Sequence, residues 1–341
     1  MSRFAAVLVV VSLLWAPPAA LAKRAPGSST ANFLKVGVGP RPAAMAGAFT
    51  GLADDLFAIH YNPAGLGTLQ RQQLAFMHHA LYTGVRQEWA GYALPTEKLG
   101  TFAASVNMLV VSPFQAYDET DAVIGDVKAQ DECVTFAYSK EVGKKRGLSA
   151  GVAVKYIRST LDAYSATAIA FDGGVLARFG RQMEYETEYR LGAAVRNAGQ
   201  NMKFIDEAFP LPQSLNVGVS RNSPLPHPFE DMRLNAALDA VLPNDDMPYA
   251  LLGVELKIVR EFGVRVGYRQ DQDTGMGLTA GVGFTSLSRG FTAEWWPEIS
   301  IDYSFVDLGK LEQSHRFGFT LSFGGGKRAE AETPYIYDLI R

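Results

Sequence analysis

Residues 316–323 read RFGFTLSF, so that Phe317, Phe319, Leu321 and Phe323 alternate with Arg316, Gly318, Thr320 and Ser322. A period of two puts successive side chains on opposite faces of a strand, whereas a helix would scatter the four apolar residues around a cylinder. The same reading holds upstream. Phe262, Val264, Val266 and Tyr268 share one face, with Gly263, Arg265, Gly267 and Arg269 on the other. Ile299, Ile301, Tyr303 and Phe305 interleave with Ser300, Asp302 and Ser304. Leu148, Ala150, Val152, Val154 and Tyr156 oppose Ser149, Gly151, Ala153 and Lys155, and Tyr189, Leu191, Ala193 and Val195 oppose Arg190, Gly192, Ala194 and Arg196.

Working outward from these runs, 14 segments carry the pattern, near 71–79, 87–94, 99–111, 131–140, 147–158, 165–179, 188–197, 213–221, 231–242, 248–258, 261–269, 276–286, 291–306 and 314–323. The first two alternate weakly, and Pro297 implies a bulge or break in the thirteenth. Most run to about ten residues, the length a tilted strand needs to cross a bilayer. Thr96–Lys98, Val142–Arg146 and Val259–Arg260 read as tight turns, whereas Ser112–Gln130 and Ala198–Pro212 read as long loops. Short turns at one rim and long loops at the other are the habit of outer-membrane barrels. That alternation weakens after residue 221, where Asn222–Glu230 is long for a turn.

A secreted β-sandwich also alternates, but two features favour a barrel. The polar face mixes Gly, Ser and Thr with Lys155, Asp172, Arg178, Arg196, Glu255, Lys257, Arg265, Asp302 and Arg316. Aromatics such as Trp89, Tyr138, Tyr156, Phe179, Tyr268, Trp295 and Phe323 sit towards strand ends, as interfacial girdles require. The expected class is all-β, a transmembrane antiparallel barrel of about 14 strands. Lumenal charges of both signs make no single-sign filter; they suit pairing between the wall and an inner plug.

Composition agrees. Among 341 residues, 48% are hydrophobic and 20% charged, which excludes wholesale disorder. Mean hydropathy is neutral, against a multi-span helical protein. Net charge is −3, with no basic footprint for nucleic acid. A single cysteine, Cys133, excludes an internal disulfide framework and a cysteine-cluster metal site.

The termini frame the barrel. Residues 1–22 place Arg3 before an apolar run from Phe4 to Trp15, then Pro17-Pro18 and Ala20-Leu21-Ala22, the three parts of a cleaved signal peptide. Residues 23–70 lack strand alternation and are rich in Ala, Gly and Pro, so they are the expected plug or hatch, with one short helix within Pro42–Ala58. The barrel is assigned to 71–323 and a periplasmic tail to 324–341, either a loose extension or a tethered peptide docking through Tyr335, Ile336, Tyr337, Leu339 and Ile340.

Within the hatch, Asn32 to Gly67 reads NFLKVGVGPRPAAMAGAFTGLADDLFAIHYNPAGLG. Gly37, Gly39 and Pro40 mark a turn, Asp54-Asp55 a cap or turn, and Asn62-Pro63 an extended residue entering a small-residue loop. Phe33-Leu34-Lys35, Arg41 to Phe49, Ala53-Asp54-Asp55 and Tyr61-Asn62-Pro63-Ala64-Gly65-Leu66 resemble the amino-terminal signature of the PorV/PorQ family, relatives of the FadL-type fatty-acid transporters. The resemblance covers about 36 residues; beyond them it is one of length and strand pattern. It implies a 14-stranded outer-membrane barrel with an amino-terminal hatch. It also implies one of two roles: receipt and handing-on of exported cargo proteins with type IX-like secretion components, or FadL-like passive transport of hydrophobic small molecules. A purely structural barrel is the third alternative. The hatch residues singled out as seat or ligand site are Phe33, Leu34, Phe49, Asp54, Asp55, Tyr61, Asn62 and Pro63.

Other chemistry is not indicated. His78 and His79 are adjacent in a strand and face opposite sides, so they cannot share a metal. Asp54-Asp55 alone is too few oxygens for calcium. Gly277–Gly283 lies in a strand rather than a strand-to-helix turn, so no phosphate loop is present. No nucleophile–base set argues for catalysis, and no cofactor or metal is expected. The expected partners are outer-membrane lipid and either exported protein cargo, bound above all by Ser112–Gln130 and Ala198–Pro212, or a hydrophobic small molecule.

Overall fold

The computed structural model describes residues 27–82, 84–142, 147–180, 187–229, 232–258, 261–270, 276–286, 297–311 and 313–324. The signal-peptide segment, the turns at 143–146 and 259–260, Trp295 and the tail beyond 324 lie outside them.

Period-two alternation becomes a closed antiparallel barrel of 14 strands. In chain order these are β1 (Gln72–Tyr82), β2 (Val85–Thr96), β3 (Gly100–Tyr117), β4 (Val123–Val142), β5 (Leu148–Leu161), β6 (Tyr164–Phe179) and β7 (Glu188–Gly199). A two-stranded insert, β8 (Met202–Lys203) and β9 (Ala208–Phe209), follows. The barrel resumes with β10 (Ser214–Pro224), β11 (Arg233–Pro243), β12 (Tyr249–Ile258), β13 (Phe262–Arg269), β14 (Leu278–Thr285), β15 (Glu298–Asp307) and β16 (Gln313–Phe323). Each barrel strand pairs with the next barrel strand in the chain, β7 with β10 across the insert, and β16 closes on β1 with Phe319 opposite Phe76. Because 14 is even, β1 begins and β16 ends at one rim, called the near rim below; the other is the far rim.

The outer surface is apolar because one face of every strand turns away from the bore. Val264 is 38% exposed and Val266 54%, while Arg265 between them is buried. Phe136, Val152, Phe171, Ile301 and Phe317 are likewise exposed. Such a skin is stable only against lipid.

The bore holds the hatch. It begins at the far rim, where the Thr30 amide donates to the Pro210 carbonyl at 2.9 Å, and runs down to β1 at the near rim. It contains two short helices, α1 (Pro40–Ala44) and α2 (Ala58–Tyr61), flanked by 3-10 turns at Asn32–Lys35 and Pro63–Thr68. The expected single helix is thus split: the chain between Met45 and Phe57 turns repeatedly, with Gly47 at φ +84°. Its backbone lies against the wall, and glycines on the lumenal face make room. A Cβ on Gly253 would sit 2.6 Å from the Met45 Cβ, and one on Gly174 would collide with Asn62 Oδ1. Gly151, Gly192, Gly218 and Gly281 face Pro63, Thr50, Gly51 and Ala44 in the same way.

Two sequence expectations are corrected. Ser112–Gln130 is a hairpin, since β3 reaches Tyr117 and β4 starts at Val123. Above the belt both faces of a strand meet water, so alternation fades although pairing continues. Ala198–Pro212 belongs to the long connection between β7 and β10 read from the sequence, and it carries the β8–β9 insert. Trp89 is not a girdle residue: it is buried on the lumenal side, its ring 4.9 Å from that of Phe57 in the hatch.

Candidate functional site

Two charge systems organise the bore. The first fastens the hatch. Arg41 in α1 reaches Glu255 on β12 with Nε–Oε1 at 3.0 Å and Nη2–Oε2 at 2.8 Å. The same guanidinium holds Asp54 at 2.5 Å and Asp55 at 3.0 Å. Glu255 also accepts from Arg265, which bonds Asp302 on β15, and Arg190 on β7 reaches Asp54 at 3.6 Å. Burial alone would push both hatch carboxyls up. Arg41 and Arg190 outweigh it at Asp54 and hold that group below its usual range. At Asp55 burial outweighs Arg41, and the neighbouring Asp54 charge adds to it, so the carboxyl is pushed up to about 6.

The expected hatch residues mostly serve this anchoring. Asn62 donates from Nδ2 to the carbonyls of Thr50 (2.9 Å) and Val175 (3.1 Å), while its Oδ1 accepts from the Ala64 amide (3.1 Å). It therefore caps the turn that Pro63 opens and ties it to β6. Phe49 is wholly buried, edge-on to Tyr61 at 5.5 Å and beneath the Arg41 guanidinium at 5.4 Å. Phe33 and Leu34 pack with Cys133, Ile157, Ala168, Ala170, Met202 and Leu211 on the β4–β6 side of the upper bore. Lys35 instead faces the opposite side, where it pairs with Asp245 in the β11–β12 connection at 2.5 Å.

The second system lines a cavity of about 380 Å³ between the hatch and the far rim, on the β10–β16 and β1 side. Tyr61 is the one residue of the expected set that lines it, alongside His60, Arg196, Arg269, Arg316 and the aliphatic Leu81, Val241, Leu251, Val306 and Leu308. No Asp or Glu is among its lining residues. Arg196 donates to His60 Nε2 at 2.7 Å and lies over the Tyr61 ring at 5.8 Å. Burial, with the charges of Arg196, Lys155 and Arg316, holds the His60 imidazole well below its usual pKa, so it is neutral and accepts. Burial also pushes the Tyr61 phenol up to about 12 against the pull of Arg316 and Arg196, so its hydroxyl stays protonated and donates to the Val38 carbonyl at 3.0 Å. Arg269 stacks on Tyr249 at 4.9 Å. The Nε atoms of Arg196 and Arg316 are buried without a hydrogen-bond partner.

Charges that the sequence mixes along the polar face are thus sorted in space. Glu255, Asp302, Asp54 and Asp55 are spent on the hatch lock, and the far-side cavity keeps cations. Sequence reasoning missed Arg196, Arg269 and Arg316 as a set because only barrel closure unites β7, β13 and β16. Their signal was the arginines' place on the lumenal face of the alternating runs. Among the described residues no group of three His, Cys, Asp or Glu could hold a metal ion.

A model of the uncharacterised protein family UPF0164 matches residues 8–203. No curated protein matches the sequence. Among solved structures, the toluene transporter TbuX of Ralstonia pickettii is 14% identical, with a TM-score of 0.54 over 84% of this chain and 97% of that one. The toluene transporter TodX of Pseudomonas putida is 13% identical, TM-score 0.51, over 85% and 98%. The monoaromatic hydrocarbon channel CymD is 12% identical, TM-score 0.51, over 84% and 97%. At these identities the likeness establishes the fold, a 14-stranded barrel of outer-membrane type.

Proposed function

The chain belongs to the UPF0164 family, and we propose that it is a non-enzymatic, plugged outer-membrane channel for passive entry of hydrophobic small molecules. In this reading the signal segment is removed on export, the far rim faces outward, and the lumenal cavity receives the substrate above the hatch. The carrying observation is the cavity of about 380 Å³ itself, within the roughly 300–1,000 Å³ typical of small-molecule sites. Aliphatic walls suit an apolar body, and the arginines, without a carboxylate among the lining residues, suit an anionic or strongly polarised head. The kinship of the fold with hydrocarbon channels supports the same class.

Handling of exported cargo, proposed on the PorV/PorQ resemblance of residues 32–67, ranks second. It relied on two long outer loops, and one of these is a regular hairpin.

Equilibrium dialysis of the amphipol-held barrel tests the first reading. Laurate and toluene should each bind saturably. Arg316→Gln should weaken laurate about tenfold, the worth of one charge-assisted bond, and leave toluene unchanged. Absence of saturable binding of either probe would overturn the reading.

A further inference from the structure

The outer wall carries a second concavity. A groove of about 530 Å³ opens on the outer face of β15, β16, β1, β2 and β3, lined mostly by outward side chains, with Met77, Trp89 and Gly318 between them also among its lining residues. Its origin is a gap in one row of outward side chains. Pairing sets Ile301, Phe319, Phe76, Ala90 and Val106 side by side across five strands. Ala90 is the smallest of the five, so the wall sinks between Phe76 and Val106.

The next row towards the far rim reads Phe317, His78, Glu88 and Met108. His78 Nδ1 and Glu88 Oε1 are 2.8 Å apart, and Arg86 Nε lies 3.9 Å from the same oxygen. The three side chains are about half exposed. Oε2 of Glu88 takes no hydrogen bond among the described residues, and Arg86 at that distance keeps its donors. An apolar trough closed above by a carboxylate beside a guanidinium matches an acyl chain below a head with an ammonium beside a phosphate.

We propose that this groove is a binding site for one zwitterionic phospholipid of the ethanolamine type. Its chain lies in the groove, its ammonium donates to Glu88, and its phosphate meets Arg86 and His78. The site rests on the reading that the outer face meets lipid, and it is separate from the lumenal cavity: Phe76, His78, Glu88 and Ala90 point outward while Met77, His79, Gln87 and Trp89 point inward.

The test is native mass spectrometry of the barrel released from bilayers of equal phosphatidylethanolamine and phosphatidylglycerol, with bilayer insertion checked first by flotation. Failure to insert would sink the membrane reading itself. For inserted protein, one phosphatidylethanolamine should be retained at least about tenfold over phosphatidylglycerol. Ala90→Trp, which fills the groove from outside, should abolish retention, and Glu88→Gln should cut the preference about tenfold. Variants are compared only where the heat-modifiable folded band persists; should Ala90→Trp lose that band, Ala90→Leu replaces it. Equal retention of both lipids, or full retention by the groove-filled variant, would overturn the proposal.

Discussion

Arg41 of the hatch and Glu255 of β12 meet in a two-pronged ion pair, Nε to Oε1 at 3.0 Å and Nη2 to Oε2 at 2.8 Å. Glu255 is fully buried. The fork geometry of guanidinium on carboxylate cannot be copied by an ammonium.

Removing one partner strands a buried charge, so Arg41→Ala should cost about 3–5 kcal/mol. Arg41→Lys should recover less than half of it. Urea midpoints of the heat-modifiable band measure both, and near-full recovery by lysine would argue against the fork.

Asp55 makes hatch seating pH-dependent. Its folded pKa of about 6 lies above the usual 3.8. The folded state therefore binds a proton before the unfolded one does, and stability rises as pH falls from 7 towards 4. Asp54 acts oppositely: held below 3.8, its contribution is lost in stronger acid. The thermal midpoint should accordingly peak between about pH 4 and 6. Asp55→Asn should be more stable than the parent at pH 7 and lose the rise; an unchanged profile would contradict the assignment.

Adjacent glycines on β6 give an internal contrast. A methyl on Gly174 would strike Asn62 Oδ1, whereas one on Gly173 meets nothing within 4 Å. Gly174→Ala should destabilise by about 1–3 kcal/mol, and Gly173→Ala should be close to neutral. Calorimetry of the two variants in detergent reads the difference.

Face assignment is checked on β13. Val264→Arg should cost about 2–4 kcal/mol near the midplane. Gly263→Ser should cost far less, because its nearest neighbour is the movable Arg265 guanidinium at 3.3 Å. Comparable losses at both positions would reverse the faces.

Much of the barrel was legible because lipid on one side and polar plug on the other impose a strict contrast, as in Phe317-Gly318-Phe319. Where that contrast lapses, so does legibility. Ser112 to Ala122 are mostly exposed on both faces of the extended hairpin, and their pairing leaves no period. Trp89 misled for a related reason: a large aromatic near a strand end suits the interface, yet it also suits packing against Phe57 inside. The hatch was recognisable as a segment without alternation, and Asn62-Pro63 as a turn. The arginine-lined cavity was not, since Arg196 and Arg316 are remote in sequence and share a site only through the β16–β1 closure.

The route of the hatch bears on how the molecule comes to exist. Its supports are drawn first from β4 to β6, then from β13 to β16, then back through β12, β11, β10 and β7 to β6, β5 and β4, and its exit feeds β1. No partly built sheet offers them all at once. Docking of the inner segment and zipping of the last seam are therefore coupled steps of one all-or-none event, dominated by long-range contacts and correspondingly slow.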